Sequence, residues 1–378
     1  MEKLERIVLV DIIRGFALLG LFIVHMVEYF ELYWYKPEPG WVHDSVFFIF
    51  AGKAYALFAL MFGFSFYILV DRRSSLFHRK QFAWRMALLL AMGYLHSLLY
   101  AGDILQLLAL GGFYLLAIHR LNTKLLTVIA TVLLLQIPTF IQFVFLLPDD
   151  SYQQPKFWAM MGSNFQVFAH ASLPDLITYN AWQGQQPKWV LTFETGGVWS
   201  LLGLFTLGLI MGRLKIFENT QPKYRIFIAL LASVALFGLF YTLQSYQEQL
   251  IHSSHFMVNW LISGTFAKYF GLCAIAFYIS FFFLLYLHAG KILRSLVCPL
   301  AAVGRMSLTF YIGQSLIFVP LFYGFGAGWY ATVGQLNALI LALFASAMHI
   351  IIANIWLARF TYGPFEAIWR SATQRPFK

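Results

Sequence analysis

The stretch "DIIRGFALLGLFIVHM", residues 11–26, decides the fold. It lies inside an apolar run, residues 8–30, that supplies the ~20 residues a helix needs to cross a bilayer's hydrocarbon. Yet it keeps an acid, a base and an imidazole: Asp11, Arg14 and His25. Asp11 and Arg14 are three residues apart, and Arg14 and His25 eleven. At about 100° per residue, eleven residues return to within about 20° of the same direction, so Asp11, Arg14, Leu18 and His25 share one stripe. His25 stands roughly 16 Å above Arg14 along the axis. Ionisable groups are costly in a membrane, so each marks a functional hypothesis. A cation at the inner end suits a phosphate-bearing donor, and a neutral imidazole can take a proton from a hydroxyl or amine. The competing account is structural: Asp11 and Arg14 pair to orient the helix, and His25 bonds a neighbouring helix.

The rest of the chain agrees with a membrane protein. Of 378 residues, 60% are apolar and 11% charged, against about 25% charged in soluble domains. Ten segments qualify as spans: 8–30, 45–70, 83–100, 103–119, 124–147, 196–212, 226–243, 262–288, 300–322 and 334–357. Their apolar runs are continuous, not alternating, which argues against barrel strands. The expectation is an all-α, polytopic helical bundle, one membrane-embedded domain over 1–378, with the lipid bilayer as its surroundings. Placing the N-terminus inside collects 21 Lys/Arg and 6 Asp/Glu in the inner segments, against 5 and 10 elsewhere. The net charge of +10 is thus an orientation signal and not a sign of nucleic acid, and both termini are expected in the cytoplasm. No small-residue cleavage site follows the first run, which therefore reads as an uncleaved span of a multi-pass plasma (inner) membrane protein. Cys273 and Cys298 form neither a disulfide framework nor a metal cluster, and leave the redox compartment open.

The outer loop over 148–195 carries Phe157, Met160, Met161, Phe165, Phe168 and Ala169 at helical spacing. This predicts an interfacial helix, either a cap on the bundle or a gate for substrate. Trp158, Trp182 and Trp189 suit the headgroup belt.

A second constellation spans residues 79–106. Arg79, Lys80 and Arg85 make a basic inner mouth, for phosphates or for anchoring. His96 sits in the outer half of the third span and Asp103 opens the fourth, so a tight hairpin would let Asp103 orient His96 as a base; Asp103 also suits a helix N-terminus. Lys53 and Lys268 have stems long enough to snorkel. Gln136, Gln314, His349 and Asn354 are the other polar residues within spans; Gln314 and Asn354 suit helix–helix bonding, and "GLIMG" (208–212) suits close helix contact, with a homodimer as one use. A Walker loop, a dinucleotide fingerprint, a zinc motif and a nucleophile elbow are all missing from the sequence, which argues against ATP-driven or nicotinamide chemistry and gives no metal site.

The opening stretch, "KAYALFALMFGFSF" (53–66), "GYLHSLLYAGDIL" (93–105), "GRMSLTFYIGQSL" (304–316) and "YGPFEAIWR" (362–370) together resemble the YeiB-like family, domain of unknown function 418. That family is similar to the transmembrane acyltransferase group of O-acetylases and heparan glucosaminide N-acetyltransferases. The resemblance implies acetyl-CoA or another acyl-CoA as cytoplasmic donor, and an outer acceptor such as a glycan or lipid-linked substrate. In the O-acetylases an Arg, ten residues and a His mark the first span, matched by Arg14 and His25, and the His is the implied base. Many members of the branch carry Asn at the second position, which moves the expectation toward His96 with Asp103. The candidates are therefore His25, His96 and Asp103 for chemistry, and Arg14, Arg79, Lys80, Arg85 and Arg305 for the donor. A transporter or exporter of a small or lipid-linked solute is the alternative, and a structural partner protein the third.

Overall fold

The computed structural model describes residues 7–73, 75–146, 154–217, 222–250, 256–288 and 290–374. The first residues of the outer loop, up to 153, and both chain ends, with part of the charge count above, lie outside the described residues.

The described residues are helical throughout, with no strand among them. The first half holds α1 (Val8–Val27), α2 (Trp41–Ile49), α3 (Lys53–Leu69), α4 (Leu76–Ser97), α5 (Leu105–Ile118), α6 (Thr123–Leu134) and α7 (Ile137–Leu146). The outer-loop region folds as α8 (Lys156–His170), α9 (Leu173–Asn180) and α10 (Gln186–Glu194). The second half is α11 (Gly197–Arg213), α12 (Lys223–Leu250), α13 (Phe256–Phe283), α14 (Lys291–Val297), α15 (Leu300–Arg305), α16 (Ser307–Phe322), α17 (Gln335–Arg359) and α18 (Pro364–Gln374).

This is a helical membrane protein. Five helices are long and apolar enough to cross a bilayer, or seven when each of two bent pairs counts as one span. The expected third, fourth and fifth spans fall on α4, α5 and α6 with α7, which do not meet that standard. Physical reasons are visible in each. α4 carries Arg79, Lys80 and Arg85. α5 has 14 residues, about 21 Å of helix against a core of about 30 Å. α6 and α7 are separated at Gln136, which adopts a left-handed φ of 60°.

Burial sorts the helices into centre and periphery. α1 is buried on nearly every side, whereas α12 and α17 present Leu231, Leu239, Leu343 and Phe344 outward, as lipid-facing helices do. Close crossings rest on glycine. A Cβ on Gly15 would lie 2.1 Å from the Leu300 carbonyl, and one on Gly208 2.1 Å from that of Leu60, so α1 meets α15, and α11 meets α3, at backbone contact. The "GLIMG" motif is thus used inside the chain, with Gly212 against the Tyr67 ring. Two apolar clusters result: a large one around α1, α3, α5 and α11, and a second, aromatic one at the other end of α1, around Phe22, Phe30, Tyr100, Phe168 and Tyr323.

Both bent pairs have local causes. α10 turns 72° into α11 at Gly196, whose φ is +68°. The α14–α15 segment turns 76° into α16 at Met306, freeing backbone N–H groups that Glu366 of the C-terminal motif captures. Leu308 N and Thr309 N donate to its Oε1 at 2.7 and 3.0 Å, and the Thr309 hydroxyl donates to Oε2. The motifs at 304–316 and 362–370 are therefore two sides of one helix cap. Within the bundle, Asn354 donates to the Pro299 carbonyl, Gln136 to Ser200, and His349 sits edge-on to Phe22 and Phe310.

Candidate functional site

The site grows from the α4–α5 hairpin. Three turn residues, Tyr100 to Gly102, reverse the chain, and Asp103 closes the turn by donating its N–H to the Tyr100 carbonyl. Asp103 then stands just before α5, where its Oδ2 accepts the N–H of Gln106 at 3.2 Å, a favourable position for an acid at a helix N-terminus. Its Oδ1 lies 2.8 Å from Nδ1 of His96, with both side chains buried. Tyr311 of α16 joins the pair: its hydroxyl accepts the Ile104 N–H at 2.9 Å and makes a longer bond of 3.5 Å to Asp103 Oδ1. The carboxylate thereby fixes the imidazole by one nitrogen. Nε2 of His96 is buried without a hydrogen-bond partner. An imidazole held this way can take a proton at Nε2.

His25 arrives from α1 against the same tyrosine. Its Nδ1 shares a 3.1 Å hydrogen bond with the Tyr100 hydroxyl, its ring stacks on Phe30, and its Nε2 also lacks a partner. The three residues after Glu28, Tyr29, Phe30 and Glu31, have φ of 51°, 52° and 83°. Left-handed backbone costs a non-glycine residue roughly 1–2 kcal/mol. It persists here because packing holds it; Tyr323 donates to the Phe30 carbonyl. The turn lays the Glu31 carboxylate against Gly102. Lys188 of α10 feels the charges of Asp103 and Glu31.

Two cavities approach the dyad from different sides. The first, about 550 Å³, runs along α1 from Ile7 to Leu21 and is lined by Arg14, Arg85, Arg370, Tyr362 and Trp369, and by Ile104 and Tyr311 next to the dyad. Arg14 bonds Asp11 Oδ1 at 3.0 Å and Ser65 at 2.8 Å. Arg85 stacks on Trp369 at 4.4 Å, and Arg370 on Tyr362 at 4.6 Å. Arg85 precedes His96 by eleven residues, the interval that separates Arg14 from His25. The second cavity, about 480 Å³, lies under the outer-loop helices and is lined by Tyr94, Gln106, Gln185, Trp182 and Trp189. Gln106 floors it and donates its side-chain N–H to Ser97 and Gln185. Within the outer-loop helix, Phe157, Phe165 and Phe168 are buried while Trp158 is exposed.

The sequence candidates divide accordingly. Arg14 and Arg85 line the first cavity; His96 and Asp103 adjoin its Ile104 and Tyr311 wall, and His25 reaches the Tyr100 hydroxyl instead. Arg79, Lys80 and Arg305 do not line the cavity. Arg79 lies in the first turn of α4, Lys80 is exposed, and Arg305 donates to the Thr361 carbonyl. Sequence inspection missed Tyr311, Tyr100, Gln106, Lys188, Glu31 and Arg370. Tyr311 and Arg370 lie within the motifs at 304–316 and 362–370, which were a usable signal. Glu31 and Lys188 carried none, because only the fold brings them to the hairpin.

Residues 211–376 match the model of a protein of unknown function, DUF418. That match covers the C-terminal part of the chain. Its other part, residues 6–171, matches the catalytic domain model of heparan-alpha-glucosaminide N-acetyltransferase. The two matches divide the site: the first brings Tyr311 and Arg370, the second His25, His96, Asp103, Arg14 and Arg85. The chain is similar over 98% of its length to the uncharacterized protein YxaH of Bacillus subtilis, at 24% identity over 94% of that protein. It is likewise similar to the uncharacterized protein YeiB of Escherichia coli, at 26% identity over 97% of that chain. A third relative is an uncharacterized 39.9 kDa protein of Bacillus acidopullulyticus, at 25% identity. No solved structure matches the chain.

Proposed function

We propose that this protein is an integral-membrane acyltransferase. An acyl group, acetyl in the simplest case, leaves a CoA thioester on the Arg85 side and joins a hydroxyl or amine entering from the outer-loop side. The observation that carries the proposal is Tyr311: it lines the arginine-bearing cavity and bonds the carboxylate that holds His96. The match to an N-acetyltransferase catalytic domain supports it.

In this scheme Arg85 and Arg370 hold the donor's phosphates, as guanidinium groups do well, while Arg14, already paired with Asp11, shapes the cavity wall and the apolar walls receive the acyl-bearing arm. His96 Nε2 takes the proton from the acceptor as its oxygen or nitrogen attacks the thioester carbonyl. The new acyl bond forms, the carbon–sulfur bond breaks, and the proton passes from His96 to the departing thiolate. Asp103 stabilises the imidazolium that forms between those steps. The outer cavity, with Gln106 and Gln185, receives the acceptor.

We place ten spans in the inner membrane with both termini in the cytoplasm, the short helices α5 and α6 lying within the bundle. The test is thiol release from acetyl-CoA by the full-length protein in nanodiscs, with extracts of extracytoplasmic glycans and lipids as acceptors. Thiol release that disappears in His96→Ala is the expected result. Flux of a solute across liposomes with no thiol product would favour a transporter instead. A reporter fused after Lys378 that proves extracytoplasmic would overturn the topology.

A further inference from the structure

A third cavity, about 700 Å³, lies apart from the dyad, between α2, α3 and α11 on one side and α12 and α13 on the other. Its walls are mostly aromatic and aliphatic, with Phe48, Tyr241 and Phe270 among them, and it contains two lysines, Lys53 and Lys268. Lys53 does not reach open water, and Lys268 does so only in part. Lys53 is 8% exposed and donates to the Phe47 carbonyl at 2.9 Å; Lys268 donates to the Thr195 carbonyl. An ammonium has three N–H groups, and each of these uses one on a neutral oxygen. No carboxylate lines the cavity among the described side chains. Two cations in an apolar chamber without a counter-charge are expensive, and an anion that enters relieves the cost.

The surroundings indicate where that anion comes from. Phe48 and Tyr241 line the cavity and are also about half exposed. Tyr241 belongs to α12, which packs chiefly on α13 and turns the rest of its apolar surface outward. The mouth therefore opens among lipid-facing side chains. We propose that this cavity is a binding site for the phosphate headgroup of a membrane phospholipid, held by Lys53 and Lys268, with the acyl chains leaving past Phe48 and Tyr241. Lysine suits a phosphate as a compact point charge, and the aromatic wall suits a chain more than water. The site is independent of the acyltransferase proposal and stands or falls without it.

The test is native mass spectrometry of the full-length protein in detergent, titrated with dioleoyl phosphatidate, dioleoyl phosphatidylcholine or inorganic phosphate. Wild type is expected to retain one phosphatidate at least tenfold more tightly than phosphatidylcholine. The double variant Lys53→Met, Lys268→Met is expected to lose that preference. Gly271→Leu provides the second arm, keeping both lysines while filling the chamber: a Cβ there meets nothing within 4 Å, and leucine favours a helix more than glycine does. It should lower phosphatidate retention at least tenfold with thermal unfolding unchanged. Phosphatidate retained equally by wild type and Gly271→Leu overturns the proposal, as does retention unchanged in a folded double lysine variant. Displacement of the lipid by millimolar inorganic phosphate overturns it too, because the pocket would then take a soluble anion.

Discussion

α1 and α4 carry the same pair at the same interval, an arginine followed eleven residues later by a histidine, yet their carboxylates sit at opposite ends. On α1, Asp11 pairs with Arg14, and His25 has only the Tyr100 phenol. On α4, Arg85 faces Trp369, with no acid paired to it among the described residues, and His96 is gripped by Asp103. α1 therefore offers a neutralised cation and a weakly supported imidazole. α4 offers a cation with no acid paired to it among the described residues and an imidazole held by a carboxylate. The spacing alone does not distinguish the helices; the placement of one carboxylate does, and it is why the proposed mechanism uses His96 of α4.

The sharpest way to break that comparison is to remove the α4 imidazole. His96→Ala is expected to lower kcat for thiol release by about 10³ or more, within the usual range for a general base and its orienting partner, with expression unchanged. His25→Ala in the same assay should cost far less than His96→Ala, and equal losses would erase the distinction between the helices. Asp103→Asn comes next. The amide keeps the shape but cannot support an imidazolium, so a loss of about 10²–10³ in kcat with little change in KM is expected. A change confined to KM would make Asp103 a structural cap on α5 and nothing more.

The inverted arginines predict different readouts. Arg14→Ala leaves Asp11, which is 6% exposed, without its guanidinium partner, and should cost about 1–3 kcal/mol of stability by thermal unfolding in detergent. Arg85→Ala removes no acid's partner, so its effect should appear in function: KM for acetyl-CoA rises about tenfold, or roughly 1.4 kcal/mol, with kcat nearly constant. A stability loss for Arg85→Ala as large as that for Arg14→Ala would show that both arginines serve packing.

Much of this was open to reading in the chain and some was not. Long continuous apolar runs and the Asp11–Arg14 spacing speak directly, because hydrophobicity and helical period are local properties. The His96–Asp103 pair is equally local, since seven residues and one glycine-bearing turn bring the two together. The roles of α5 and α6 were less legible. An apolar segment looks alike whether it crosses lipid or lies inside a bundle, and the left-handed Gln136 that separates α6 from α7 leaves no compositional mark. Arg79, Lys80 and Arg85 share a basic patch in sequence, but helical rotation sends only Arg85 into the cavity. Tyr311 and Lys188 lie more than eighty residues from His96, so only tertiary packing could reveal them.

The smallest expected effect is the most discriminating test of the α1 imidazole. His25→Asn retains a side chain able to bond the Tyr100 hydroxyl while removing the imidazole that could accept a proton. If His25 serves to position Tyr100 beside the dyad, the amide substitutes for it, and kcat should stay within about fivefold of wild type, under roughly 1 kcal/mol. His25→Ala, which leaves the Tyr100 hydroxyl unpaired in a buried site, should then be the more damaging of the two changes. If proton transfer at His25 is required, asparagine and alanine should be equally inactive, because neither accepts a proton. The order of the two variants, measured in one assay with His96 intact, thus separates a positioning residue from a base.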